Sequence, residues 1–481
     1  MTPTTMHARN LVDGTWEEGA DTGDIVEVVN PANGDVVGTV AGPDAKLAHR
    51  AADAATRSFD DWAGRPARQR ADILLAASEL IRERAEHIGA VLAREAGKRL
   101  PEAVGELAFS AEYFRWFAEQ SRRPAGEVIP NEAADRRHLT LRRPAGVVAS
   151  LTPWNFPCSI QARKLAPALA AGCTVVARVS EKAPLAATLM VEALDDAGVP
   201  AGVVNLVHGP ARQITTALLD HEAVRVVTFT GSTPVGREIM ANASRRVVRP
   251  LLELGGDAAF IVFADADVDA AVEGAMLAKF RNTGQSCIAA NRFIVHESVY
   301  AEFVEKLVAQ VDAMSVGDGL ATPVPDLGPV IDTSRVEAVT GLVDQALSLG
   351  ATRLTAPREL PSVGTYVAPT LLADVPDSAD IASQEVFGPA AAVFRFRETD
   401  EALARANATE MGLAGYLWSR DVGRCWTVAE RLEAGIVGVN NALPSVAFAP
   451  MGGVKQSGLG REGAAVGMEE FENVRYLSLG L

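Results

Sequence analysis

Cys287 closes the run Lys279-Phe280-Arg281-Asn282-Thr283-Gly284-Gln285-Ser286, a polar turn after a helix-like stretch that begins near Asp269. A cysteine placed only to fill a core has apolar neighbours. This one has Gln285 and Ser286 before it and Ile288-Ala289-Ala290-Asn291 after it. On a loop a thiol is partly exposed, and backbone N–H groups there stabilise the thiolate, the form that attacks a carbonyl carbon. Taken alone, the residue reads more simply as a buried structural thiol. Glu253 changes that balance. It stands in Leu252-Glu253-Leu254-Gly255-Gly256, a lone carboxylate between leucines. Burying it as an anion is costly, so its proton affinity rises. A cysteine nucleophile and a carboxylate base tuned in this way form a catalytic pair. Asn155, in Leu151-Thr152-Pro153-Trp154-Asn155-Phe156-Pro157, is held between prolines and aromatics. Its amide can donate to a developing oxyanion; a Pro-rich turn capped by Asn is the plainer alternative.

The elements around these groups alternate strand and helix. Over 146–262 the apolar strands Gly146–Leu151, Thr174–Ala177, Val203–Val207 and Val224–Phe229 are separated by helical stretches at Ala162–Ala171, Pro184–Ala197 and from about Pro234. Nearly continuous apolar strands between helices predict a parallel sheet covered on both faces, with ligands at the carboxyl ends of its strands. Strand Val224–Phe229 runs into Thr230-Gly231-Ser232-Thr233-Pro234-Val235-Gly236. Glycines at such a turn let backbone amides approach a pyrophosphate, although the spacing is GxxxxG and a tight turn explains it equally well. From 257 to about 440 a second βα region is expected, with strands near Ala259–Phe263, Arg292–Val295, Ala391–Phe396 and Gly435–Asn440. Residues 1–60 read as short strands and turns, including a hairpin of Ile25–Val29 and Val36–Val40 about Asn30–Gly34. A helical stripe of core residues starts at Pro66, and an aromatic-bearing helix spans Glu102–Gln120. Arg122–Arg143, with a strand at His138–Leu141, reads as an arm outside the main body.

The 481 residues exceed one core, so more than one domain is expected. A net charge of −16 argues against nucleic acid or anionic membrane as partner. The longest apolar stretch, Leu165–Ala177, contains Pro167 and Gly172 and is shorter than the ~20 residues of a membrane span. Met1–Asn10 has no apolar run of the secretory type. The 4 cysteines are scattered without metal-ligand spacing, which suits a reducing cytoplasm and gives no metal site.

Thr152–Pro157, Phe229-Thr230-Gly231-Ser232, Glu253-Leu254-Gly255-Gly256, Asn282–Cys287 and Glu385-Val386-Phe387-Gly388-Pro389 occur in this order in one chain. Together they resemble the NAD(P)-dependent aldehyde dehydrogenase superfamily over essentially the whole length. The resemblance implies an α/β fold with a Rossmann-type cofactor domain (1–122 and 145–254), a catalytic domain (255–447) and a C-terminal segment returning to the cofactor domain (448–467). It also implies an oligomerisation arm (123–144 and 468–481) joining a homodimer or homotetramer. It implies oxidation of an aldehyde to an acid, with Cys287 as nucleophile, Glu253 as base, and Asn155 with the Cys287 N–H as oxyanion hole. Thr152, Pro153, Trp154, Gly231, Ser232, Leu254, Glu385 and Phe387 would hold the dinucleotide. Where the family commonly has Lys-Pro-(Ala/Ser)-Glu for the adenosine ribose, this chain has Arg178-Val179-Ser180-Glu181. Glu181 would accept a ribose 2′-hydroxyl and repel a 2′-phosphate, so NAD is expected, with NADP possible through Arg178.

Lys279–Gln285, Gln161-Ala162-Arg163-Lys164 and Gly453–Gly463 are similar to succinate-semialdehyde dehydrogenases. By that resemblance Arg163, Arg281 and Ser445 would clamp the far carboxylate of a semialdehyde. The alternatives are that both arginines pair with acids of the protein and the aldehyde is uncharged, or that the chain is a binding protein on an old fold. Position 289 is alanine, so no disulfide switch beside the nucleophile is expected.

Overall fold

The computed structural model describes residues 6–18, 25–41, 45–123 and 125–481. The expectation drawn from Met1–Asn10 therefore falls partly outside the described residues, at 1–5.

The first sheet has eight strands. Its parallel centre runs Arg249–Glu253, Val224–Thr230, Val147–Leu151, Thr174–Arg178 and Val204–Leu206. Gly458–Leu459 closes one edge antiparallel, and Asn10–Val12 with Thr15–Glu17 closes the other. Helices cover both faces, with Leu92, Leu107, Phe114 and Leu165 in the core on one side. Leu47, Ala51, Val227 and Leu252 lie in the core on the other. This is the α/β arrangement expected, with two additions. Residues 45–64 form a helix rather than turns; its buried face is mainly Ala48, Ala51, Ala52 and Ala55, a stripe too small to register as an apolar period. Arg249–Glu253 is a strand despite Pro250. The edge strand beside it bonds only Leu252 and Glu253, so the N–H that Pro250 lacks is not needed on that side.

The second sheet has seven strands in the order Thr352–Arg353, Thr370–Ala373, Ala390–Phe396, Ala290–His296, Ala258–Val262, Ala414–Trp418, Ile436–Val439. All its pairs are parallel except the first. Phe260 stacks on Trp418 at 4.3 Å between centroids in its core. A third sheet pairs Arg136–Pro144 with Glu472–Gly480 and Val128–Ile129, all antiparallel, with Val128, Val474 and Tyr476 exposed.

Two elements carry most of the candidate chemistry. The helix Pro157–Ala171 is buried along its whole length, opens with Pro157 and ends on Gly172 at φ 97°. Its free N–H groups at Cys158 and Ser159 donate to the Glu106 carboxylate at 3.0 and 3.1 Å. That arrangement brings Arg163 and Lys164 into the interior. The helix Val268–Phe280, capped by the Asp267 side chain at 3.2 Å, delivers the turn Arg281–Gly284 and then Cys287.

Candidate active site

The turn before Cys287 is unusual backbone. Asn282, Thr283 and Gly284 take φ of 52°, 56° and 73° in succession, a conformation that costs on the order of 1–3 kcal/mol for each non-glycine residue. Long-range bonds hold it. Glu102 accepts the Asn282 N–H at 3.1 Å, and the Asn282 amide donates to the carbonyls of Asn155 and Gln285, both at 3.1 Å. The Thr283 hydroxyl donates to Gly328 at 3.1 Å, and Gln285 accepts the Ile331 N–H at 2.9 Å. A Cβ on Gly256 would fall 2.0 Å from the Cys287 carbonyl oxygen, so only glycine lets the Glu253 loop and the Cys287 loop meet.

Cys287 is half-buried and lines a cavity of about 450 Å³ with Arg163, Arg281 and Ser445. Phe109, Phe156, Ile160, Leu443 and Val446 give the cavity an apolar wall. Burial pushes the thiol well above its ordinary value; Glu253 adds to the rise and Arg163 opposes it. The loop's own backbone N–H favours the thiolate, as expected from the sequence, but is the smaller effect beside desolvation.

Glu253 ends its strand fully buried, and burial raises its proton affinity as expected from its sequence setting. The opposing influence is Arg163, whose Nη2 lies 2.7 Å from Glu253 Oε2. Arg163 Nε also faces Glu462 Oε2 at 2.8 Å, while Lys164 Nζ pairs with Glu462 Oε1 and donates to Thr228 at 2.9 Å. Burial works against ionising Glu462, but Lys164 and Arg163 outweigh it and hold its carboxyl below the usual range. Two cations and two carboxylates thus close a buried quartet. Arg163 is therefore not a free clamp residue of the cavity. Its partners, Glu253 and Glu462, come from distant parts of the chain, and no local spacing announces them.

Arg281 is different. Its guanidinium lies over the Phe156 ring at 5.4 Å and enters no ion pair or hydrogen bond among the described residues. The two other acids lining the cavity have cations of their own, Arg99 at 3.7 Å from Glu102 and the buried Lys98 on Glu106. Ser445 contributes a hydroxyl 3.4 Å from the Met451 thioether. Asn155 is buried, with its amide donating to Gln285 at 3.2 Å and its Oδ1 unpaired. Its backbone carbonyl accepts from Lys98 at 2.9 Å. Lys98, Glu106, Lys164, Glu462 and Met451 carry no chemistry in the sequence reading; each acquires its place through contacts remote in sequence.

A second group gathers across Gly256. Glu385 Oε1 accepts the Gly256 N–H at 3.1 Å, and burial raises this carboxyl to about 7. Phe387, at φ 48°, meets Trp154 edge to face at 5.5 Å. The Gly231 N–H donates to the Glu253 carbonyl at 3.1 Å, and that of Leu254 to Ser457 at 2.9 Å. Ser232 is the N-cap of the helix Thr233–Ser244, and its hydroxyl makes no capping bond. Pro153 is half-buried in the loop beside Trp154. A third group lies at the end of strand Thr174–Arg178. Arg178 pairs with Glu181 and donates to the Gly209 carbonyl at 3.1 Å, and the Thr152 N–H donates to the Arg178 carbonyl at 3.0 Å. The Ser180 hydroxyl accepts the Lys182 N–H at 3.3 Å.

Residues 16–477 match the aldehyde dehydrogenase family. The chain is 44% identical over 478 residues to a 3-sulfolactaldehyde dehydrogenase of Pseudomonas putida, covering 99% of this chain and 98% of that one. It is 43% identical over 471 residues to an NADP(+) succinate-semialdehyde dehydrogenase of Escherichia coli, covering 98% and 97%. Among solved structures, a succinate-semialdehyde dehydrogenase of Burkholderia pseudomallei superposes with a TM-score of 0.96 at 43% identity, covering 99% and 98%.

Proposed function

This chain belongs to the aldehyde dehydrogenase family and oxidises aldehydes with a nicotinamide dinucleotide, and from that premise we propose that its substrate is a short aldehyde with an anionic far end, succinate semialdehyde foremost. The observation that carries this reading is Arg281, a cavity-lining cation without a carboxylate partner among the described residues, where every neighbouring acid has one. An unmatched guanidinium beside an apolar wall binds a monoanion bidentately, and Ser445 adds a donor. The substrates named for the relatives, a sulfonated and a carboxylated aldehyde, share that chemistry.

Cys287 is the nucleophile in this proposal. Its raised proton affinity requires a base to take the thiol proton, and Glu253, itself raised by burial, is that base. The sulfur adds to the aldehyde carbon, and the Asn155 amide with the Cys287 N–H receives the oxyanion of the thiohemiacetal. A bound nicotinamide dinucleotide supplies the hydride acceptor. Loss of hydride leaves a thioester on Cys287; Glu253 gives up the thiol proton to solvent, and as a carboxylate again it draws a proton from the water that releases the acid.

The residues fit such a dinucleotide. Glu385 has one oxygen on Gly256 and the other without a hydrogen bond among the described residues, an acceptor for ribose hydroxyls beside the Trp154–Phe387 aromatic corner. Ser232 and the first turn of its helix offer donors to a pyrophosphate. NAD is the proposed preference. Glu181 keeps 39% of its side chain exposed, whereas Arg178, 8% exposed, is spent on Glu181 and Gly209, and Lys182 on Asp332. Among the described residues, neither Arg178 nor Lys182 at this strand end is left for a 2′-phosphate. A homodimer or homotetramer built through the arm, in the cytoplasm, completes the proposal; exposed Val128, Val474 and Tyr476 and four free cysteines support it. No helix among the described residues is long and apolar enough to cross a membrane.

The test is the rate of dinucleotide reduction with succinate semialdehyde against butanal, its uncharged counterpart. A preference of about two decades in kcat/KM, ~3 kcal/mol, fits a bidentate contact. Comparable rates would discard the anionic substrate and leave the aldehyde chemistry standing.

A further inference from the structure

Lys98 is buried, and its ammonium makes three contacts that converge on one turn. It pairs with the Glu106 carboxylate, donates to the Asn155 carbonyl at 2.9 Å, and lies 4.1 Å from the centroid of the Phe156 ring. Glu106 completes the grip: its other oxygen accepts the Cys158 and Ser159 N–H groups at 3.0 and 3.1 Å. Asn155, Phe156, Cys158 and Ser159 are thus held by a single ion pair, at a carbonyl, a ring and two amides. Burying an ammonium and a carboxylate is costly even when they pair, and an apolar pair of similar volume would stabilise the fold as well. What the ion pair supplies is direction, and the turn it directs carries Asn155.

The other half of the oxyanion hole hangs from the same helix. Glu102, one turn before Glu106 on the helix Leu100–Gln120, accepts the Asn282 N–H at 3.1 Å in the positive-φ turn before Cys287. The two turns meet where the Asn282 amide donates to the Asn155 carbonyl at 3.1 Å, so that carbonyl is pinned from both sides. The Asn155 amide carries two hydrogens; one bond goes to the Gln285 carbonyl at 3.2 Å, which leaves the second hydrogen for an oxyanion.

We propose that Lys98 is a positioning residue of the oxyanion hole: with Glu106 it sets the Asn155 turn at the separation from the Cys287 loop that the thiohemiacetal oxygen requires, the helix Leu100–Gln120 being the common template. The inference rests on the assignment of Asn155 and the Cys287 N–H to that oxygen. Such donors work by being in place before the charge develops, and a displacement of ~1 Å costs about 10²-fold. Lys98 does not line the cavity, so its effect passes through Asn155.

Lys98→Met alone strands Glu106 and can fail to fold. The variant measured is therefore Lys98→Met combined with Glu106→Gln, which removes both charges and keeps an amide oxygen for the Cys158 and Ser159 N–H groups. Only the Asn155 carbonyl and the Phe156 ring lose their cation. Rapid mixing with NAD and either succinate semialdehyde or butanal gives the first-turnover rate of dinucleotide reduction. That rate is expected to fall about 10–100-fold on both aldehydes, because the oxyanion forms at the carbon they share, while the Kd for NAD stays within about twofold. In an Asn155→Ala background the same two substitutions are expected to cost less than about threefold, since the group they position is gone. Three results would each overturn the inference and leave the oxyanion hole standing: a wild-type rate in the paired variant, a loss confined to succinate semialdehyde and so routed through Phe156 and Arg281, or a full further loss on top of Asn155→Ala. If Asn155→Ala alone keeps the wild-type rate, the oxyanion hole falls and this inference with it.

Discussion

Arg281→Ala is the substitution that most directly exposes the basis of substrate choice. The side chain makes no ion pair and no hydrogen bond among the described residues, so its removal leaves no buried carboxylate stranded. What it loses whatever the substrate is its position over Phe156 at 5.4 Å, worth ~0.5–1 kcal/mol. What it loses with a carboxylated aldehyde is two charge-assisted hydrogen bonds, each ~1.5–3 kcal/mol when desolvated. Arg281 is only half-buried, which places the pair at the lower end, ~3 kcal/mol or about two decades in kcat/KM. The loss is expected in KM, with kcat little changed, because the far end of the substrate does not alter as the aldehyde carbon reacts. The assay is initial-rate dinucleotide reduction over a range of succinate semialdehyde and, in parallel, butanal. Equal losses on the two aldehydes would refute the reasoning: the arginine would then be shaping the cavity, not reading a charge.

Three further outcomes follow from the geometry. Glu253→Gln keeps a hydrogen-bonding group opposite Arg163 but removes the base for both the thiol and the water; rapid mixing is expected to show no burst of reduced dinucleotide and steady-state turnover slowed ~10²–10⁴-fold, and undiminished turnover would reassign the base. Lys98→Met strands Glu106, whose side chain is 2% exposed, and is expected to cost ~3–5 kcal/mol of stability, read as a fall in thermal midpoint; an unmoved midpoint would show the pair to be dispensable. Glu181→Ser frees Arg178 from its carboxylate partner, so kcat/KM with NADP is expected to rise relative to NAD by about tenfold or more, and an unchanged ratio would place cofactor selection elsewhere.

What the sequence made legible divides along physical lines. The strands Val147–Leu151, Thr174–Arg178 and Val224–Thr230 announce themselves because burial on both faces demands an apolar run. Glu253 is legible for the same reason, since a carboxylate between leucines is either paired or protonated. The helix Ala45–Gly64 escapes because alanine fills its contact stripe, and Arg249–Glu253 because Pro250 argues locally against a strand that only an incomplete edge neighbour permits. The role of Arg163 escapes for a deeper reason. Its type and place suit an anion clamp, but which anion it meets is decided by Glu253 and Glu462, brought to it by the sheet and by the returning C-terminal segment. Pairing between distant charges leaves no periodicity to read.

Charge parity ties these observations together. Among the described residues Glu102 and Arg99, Glu106 and Lys98, and the quartet of Arg163, Lys164, Glu253 and Glu462 each sum to neutrality around the cavity when all are ionised, and Arg281 is left over. A neutral apolar cavity with one surplus cation holds a neutral aldehyde poorly, because the guanidinium then loses water and gains nothing. A monoanion restores the balance, and a dianion would overshoot it. Selection by charge count needs no close fit along the chain of the substrate, so aldehydes of neighbouring lengths, or with sulfonate in place of carboxylate, fall within the same rule. Length discrimination then belongs to the apolar wall of Phe109, Phe156, Ile160 and Val446, where a methylene is worth only ~1–3 kcal/mol.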